Sequence, residues 1–158
     1  MSVKDASVQK FYIWMAAAIL TDQCSKIWIR LHLKEGDSLV VWKGVLEFVR
    51  YENSGMAFSL FQGYGRWFIP AAIIFVGIVL YLLYRGLLNS PLERVGAACL
   101  AGGAIGNAID RTLFNQVTDF IHFYAKQGIL NMADYAINIG ILLFVLQMVL
   151  SFRRSRDR

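Results

Sequence analysis

Between Trp67 and Arg85 the chain reads WFIPAAIIFVGIVLYLLYR, an apolar run without a charge until its last residue. At about 1.5 Å per helical residue, such a run comes close to the roughly 30 Å of hydrocarbon in a bilayer. Its aromatic ends lie where Trp and Tyr favour the membrane interface, and Pro70 falls in the first turn, where a helix loses no donor. The stretch is predicted to cross a membrane and to act as scaffold, since it carries no polar chemistry.

Composition extends that reading to the whole chain. Of 158 residues, 57% are hydrophobic and 17% charged, and the mean hydropathy is +0.49, an apolar excess over an average soluble domain. A chain of this length with several spans has room for a single domain. The N-terminal Lys4 and Lys10, followed by FYIWMAAAIL and Cys24, imitate a signal peptide. Asp22 and Gln23 precede the cysteine in place of small residues, so the segment is read as a retained span. Cys24 and Cys99 lie in apolar surroundings and are expected to be buried thiols, not a disulfide. The net charge of +5 collects at tails and span edges, which fits membrane topology and not nucleic acid.

Working outward, three further spans are predicted at about 11–31, 93–111 and 129–152, beside the one at 67–85. Residues 34–66 include the partly alternating VLEFVRYE and predict short strands at the membrane surface. Residues 112–128 are expected to be a short aromatic loop. The fold class is therefore integral membrane and mainly α: four transmembrane helices, a small β-element after the first, and a short loop after the third. Lys and Arg divide evenly between the two sides. The dense RRSRDR tail, 153–158, breaks the tie and puts the C-terminus in the cytoplasm. An even number of spans then places the N-terminus there too, with 34–66 and 112–128 outside.

Three of these spans carry ionisable groups, each of which costs on the order of 3 kcal/mol at the bilayer centre. In the third span Asn107, Asp110 and Arg111 share one helical face, while Ala98, Gly102 and Gly106 form a ridge that admits a close neighbour. Asp110 and Arg111 can pair with each other or with Asp22 and Lys26 of the first span, and Asn107 can bridge two helices. Asp119 in the second outer loop and Asp134 about a turn into the fourth span are close enough in sequence to converge. If they do, one proton is shared and the pair can activate water and polarise a carbonyl. Helix capping and ion pairing are the competing roles for the same carboxylates. No HExxH, GxSxG or phosphate-cradling motif is present, His32 and His122 are isolated, and no metal or cofactor is expected.

DQCSK in the first span, ENSGMAFS after the strands, GGAIGNAIDR, VTDFI and NMADYAIN together resemble the lipoprotein signal peptidases, the type II signal peptidases of bacteria. The pieces occur in the family's order and cover nearly the whole chain. The resemblance implies a multi-pass aspartic endopeptidase of the inner membrane that cuts prolipoproteins before a cysteine bearing diacylglyceryl. It makes Asp119 and Asp134 the catalytic dyad. Asn53, Gly55, Asn107, Asp110, Arg111 and Asn131 shape the substrate site, and Asp22 and Lys26 are structural. Met56 stands where the family often has alanine, and Leu130 where it often has phenylalanine. Membrane lipid and the lipidated substrate are the expected partners, nucleic acid is not, and the protein is expected to be a monomer with its site near the outer face.

Setting the resemblance aside, the same residues suit a small proton-coupled carrier or an assembly subunit. A carrier should hold its acids near the midplane, whereas a protease should gather Asp119 and Asp134 at one interface.

Overall fold

Ser90 begins the third apolar stretch with a capping box. Its side chain accepts from the Glu93 backbone N–H, and the Glu93 carboxylate takes the Ser90 N–H, with Pro91 in the first turn. The computed structural model describes residues 3–55, 61–126 and 128–156. Its helices are α1 (Val3–His32), α2 (Phe68–Tyr84), α3 (Pro91–Phe114) and α4 (Met132–Arg156), with a one-turn 3-10 helix at Gly65–Trp67 leading into α2. Strands β1 (Ser38–Trp42), β2 (Leu46–Asn53), β3 (Val117–Phe123) and β4 (Ile129–Leu130) form one antiparallel sheet in that order.

Helix α3 packs against each of the other helices, and its small residues allow this. A Cβ on Gly102 would lie 2.7 Å from Ala18 of α1, one on Gly103 would meet the Ala133 carbonyl of α4 at 2.5 Å, and one on Gly106 would meet Asp22 Oδ2 at 2.5 Å. Close van der Waals contact of this kind, which small residues permit, holds the helices together. The apolar cluster of Phe11, Val79, Leu83, Leu88, Ala97, Ala98 and Ala101 fills one end of it.

Two helical segments are long and apolar enough to cross a membrane, Gly65–Tyr84 with mean hydropathy 2.3 and Met132–Arg156 with 2.0. Only 11% and 6% of those stretches are buried, so their apolar sides face outward. Among the described residues α1 and α3 do not meet that standard, because each combines charged side chains with its apolar ones.

Several expectations are corrected. The segment 112–128 is not a simple loop: α3 continues to Phe114, and Val117–Phe123 is a strand paired with β2. Ile129 and Leu130 belong to the sheet, so the last helix begins at Met132. Cys99 is buried, but Cys24 is exposed, lying on the outward face of α1 with Leu20, Ile27 and Leu31. The strands expected in 34–66 are present as β1 and β2. Met56 and the rest of ENSGMAFS after it, like the last two residues of the basic tail, lie outside the described residues.

Candidate active site

The polar residues collect at one end of the bundle. Asp22, Lys26 and Arg30 occupy the last turns of α1, Asn107, Asp110 and Arg111 the last turns of α3, and Asp134 the first turn of α4. The sheet lies at this same end, and its strand β3 places Asp119 opposite Tyr51 of β2.

Asn131 is where the sheet turns into α4. Its Oδ1 accepts the Asp134 backbone N–H at 3.0 Å, and Asp134 Oδ2 accepts the Asn131 N–H at 3.2 Å, a reciprocal cap on the helix start. The other end of the same amide reaches Asp119, with Nδ2 donating to Oδ1 at 2.6 Å. One residue therefore holds both carboxylates.

Two further amides face the pair, each oriented by a donor at its oxygen end. The Gly55 N–H donates to Asn53 Oδ1 at 3.0 Å, which leaves Asn53 Nδ2 to donate to Asp119 Oδ2 at 3.0 Å. Lys26 Nζ donates to Asn107 Oδ1 at 2.9 Å, and Asn107 Nδ2 donates to Asp134 Oδ1 at 3.1 Å. Each carboxylate oxygen thus receives one N–H, and its second lone pair is left for water, substrate or a proton. Asp119 is 4% exposed. Burial first, and the neighbouring Asp134 charge second, push its carboxyl up to about 7, against the pull of the Asn53 and Asn131 amides.

Behind the carboxylates lies a buried ion cluster. Lys26 Nζ meets Asp22 Oδ2 at 2.8 Å and Asp110 Oδ2 at 3.0 Å, so with Asn107 its three protons are all used. Asp110 Oδ1 accepts from Arg30 at 2.7 Å, and Arg30 Nε donates to Thr118 Oγ1 at 2.8 Å. Asp22 Oδ1 takes the Ala133 N–H at 2.8 Å, adding a second acid to the α4 N-terminus, where the helix dipole favours it. Asp22, Lys26 and Asp110 are all 0% exposed, and charges so deep are tolerable because each is paired and hydrogen-bonded.

Arg111 stands apart from this cluster. One of its terminal nitrogens donates to the Gly55 carbonyl at 3.0 Å, and its guanidinium lies 5.3 Å from the centre of the Phe68 ring. Its buried Nε has no hydrogen-bond partner among the described residues. Together Asn53, Asn107, Arg111, Asp119, Asn131 and Asp134 line a cavity of about 670 Å³, completed by Ile129, Leu130, Ile137 and others. A separate apolar groove between α2 and α3 carries no acid.

Most residues named from sequence therefore meet at this cavity. Asp110, Asp22 and Lys26 sit behind it, and Gly55 contributes its backbone. Asp110 pairs with Lys26 and Arg30, whereas an Asp110–Arg111 pair was one option from sequence. Sequence reasoning missed Arg30 and Thr118. Arg30 was legible, since Asp22, Lys26 and Arg30 follow at steps of four on one face of α1. Thr118 lies inside VTDFI, but its role was not legible there, because it gains its partners only when β3 docks.

These features agree with what the chain resembles as a whole. A family model described as signal peptidase (SPase) II matches residues 14–150. The lipoprotein signal peptidase of Gloeobacter violaceus is 37% identical over 153 residues, covering 94% of this chain and 88% of its own. That of Shouchella clausii is 32% identical over 145 residues, covering 92% and 96%. A bacterial membrane enzyme solved by the in meso method at 2.3 Å superposes with a TM-score of 0.88 at 25% identity, covering 96% of this chain and 94% of that one. A second, solved at 1.9 Å, gives 0.81 at 27% identity, with 89% and 93% covered.

Proposed function

The chain belongs to the signal peptidase II family of membrane aspartic proteases, and from that premise we propose that it removes signal peptides from prolipoproteins with Asp119 and Asp134 as its catalytic pair. The observation that carries this reading is the bridge through Asn131, which holds both carboxylates at one cavity.

The chemistry follows from one shared proton. Two acids in a poorly solvated site do not both ionise readily, and Asp119, pushed up to about 7, keeps the proton near neutral pH. Asp134 then takes a proton from water as the oxygen attacks the scissile carbonyl, while Asp119 donates to the carbonyl oxygen. Collapse of the tetrahedral intermediate breaks the C–N bond. The proton held by Asp134 passes to the departing amine of the cysteine that bears diacylglyceryl, and Asp119 recovers its own. No metal or cofactor takes part in this scheme.

In the same reading all four helices cross the inner membrane, both termini face the cytoplasm, and the sheet and cavity lie at the outer face. The protein works as a monomer in contact with lipid, without nucleic acid. Support comes from large apolar side chains exposed on the outward faces of α1, α2 and α4, and from Trp67 and Tyr84, 75% and 86% exposed at the two ends of α2. The buried ion cluster offsets the charges of α1 and α3 internally. A peptidase acting on a lipid-anchored peptide needs its water at an interface, and the position of Asp134 in the first turn of α4 suits this better than the midplane site of a carrier.

The test is cleavage of a diacylglyceryl-modified prolipoprotein by purified protein in detergent. Asp119→Asn and Asp134→Asn should each lower kcat by on the order of 10³-fold or more. Retained cleavage by either folded variant would overturn the pair.

A further inference from the structure

We propose that Lys26, beyond pairing with Asp22 and Asp110, is a positioning residue that acts on Asp134 through the Asn107 amide; this rests on Asp134 being the base in the reading above.

The argument is one of donors and acceptors. An ammonium group can only donate, so the Asn107 atom at 2.9 Å from Lys26 Nζ is the amide oxygen. An asparagine has one such oxygen, and its nitrogen must therefore point the other way, 3.1 Å from Asp134 Oδ1. Asn107 is 9% exposed, which leaves little water to do the same work. Among the described residues, no other donor on the oxygen side selects this orientation. The flipped amide would set its oxygen against the Asp134 carboxylate, an acceptor facing an acceptor.

Asn53 and Asn131 are oriented by backbone N–H groups, from Gly55 and Asp134 respectively. Gln62 Nε2 also approaches Asn53 Oδ1, at 3.5 Å, but among the described residues Asn107 differs in that its oxygen takes a side-chain donor and no backbone N–H, so substitution can remove what orients it. Among the described residues, the charged and titratable groups at this end of the bundle around Asp134 are Asp22, Lys26 and Arg30 from α1, Tyr51 and Glu52 from β2, Asp110 and Arg111 from α3, Asp119 from β3, and Tyr135 beside it on α4. Among these contacts, Lys26 reaches the Asp134 carboxylate through one intervening side chain.

The experiment compares kcat/KM against pH for the full chain in detergent, with a diacylglyceryl-modified prolipoprotein as substrate. Variants are Lys26→Met, Asn107→Ala and the two combined. Asp22→Asn with and without Lys26→Met is added, because that pair keeps the cluster's net charge and Asp110 keeps Arg30. Removing Lys26 from wild type or from Asp22→Asn should lower kcat by about 10-fold to 100-fold, with KM within about twofold. It should also move the acid limb of the profile, which loss of a purely structural ion would leave in place. In the Asn107→Ala background, removing Lys26 should cause no further loss and no further movement of that limb. An unmoved acid limb in a folded variant, or losses that simply add in the combined variant, would reduce Lys26 to a structural ion and overturn the inference. Failure of wild type to cleave would instead strike at the functional reading itself.

Discussion

Asn131 donates its side-chain N–H to Asp119 at 2.6 Å while its amide oxygen caps the first turn of α4, making the helix start and the candidate catalytic pair one mechanical unit. Two substitutions separate these roles. Asn131→Ala should remove both, costing about 1 kcal/mol of helix stability and leaving Asp119 short of a donor. Asn131→Ser keeps a capping oxygen but lacks the reach to Asp119. Thermal unfolding in detergent should therefore show a lower Tm for the alanine variant and a Tm near wild type for serine, with kcat/KM reduced by about tenfold or more in both.

The raised carboxyl of Asp119 makes both stability and rate depend on pH. Its folded value of about 7 lies above the ordinary 3.8, so the folded chain holds a proton that the unfolded chain releases between those values. Rising pH across that window therefore costs stability, and falling pH restores it. Asn at the same position stays neutral throughout. The Tm of wild type minus that of Asp119→Asn should decrease from about pH 5 to about pH 8, and a difference that stays constant would contradict the burial argument. In cleavage assays kcat/KM should fall above about pH 7, as Asp119 gives up the proton that the proposed scheme has it donate.

Gly106 and Gly77 make a matched pair of glycine-to-alanine tests. A Cβ at Gly106 would lie 2.5 Å from Asp22 Oδ2, against a carboxylate already committed to Lys26 and the Ala133 N–H, whereas one at Gly77 would meet nothing within 4 Å. Gly106→Ala should cost about 1–3 kcal/mol through overpacking, read as a drop in Tm. Gly77→Ala should leave Tm within a degree or two or raise it slightly, since alanine favours the helix by up to about 1 kcal/mol.

The topology can be read by thiol labelling in intact cells. Lys43 is exposed in the turn between β1 and β2, and Arg153 is exposed near the end of α4. In a background lacking Cys24 and Cys99, Lys43→Cys should react with a membrane-impermeant maleimide added outside. Arg153→Cys should react only after permeabilisation. The reverse pattern would place the cavity on the cytoplasmic side.

Much of this was legible in the sequence, and the reason is local. Apolar runs such as Trp67–Arg85 and the 129–152 stretch identify membrane-length helices by composition alone, and the small-residue spacing of Ala98, Gly102 and Gly106 announces close packing. Asp119 and Asp134 stand out because a carboxylate in apolar surroundings is costly unless it has work or a partner. The sequence equally identified Asn53, Asn107 and Asn131 as candidates through the motifs that contain them.

What the sequence left open depends on contacts between distant elements. Segment 112–128 looked like a loop because its pairing partner, β2, lies some seventy residues earlier. Strand propensity depends on such partners as much as on the residues themselves. Asp134 caps α4 with one oxygen and meets Asn107 at the cavity with the other, so capping and the proposed role as base do not compete for the same atom. Asp110 took Lys26 and Arg30 and not its neighbour Arg111, since residues adjacent in a helix point in different directions and Arg111 faces Gly55. The sequence by itself thus determined which residues had to be explained, through the cost of polar groups among apolar ones. Only the tertiary structure decided which atom of each faces which partner, because hydrogen bonds are directional and their donors came from four different elements.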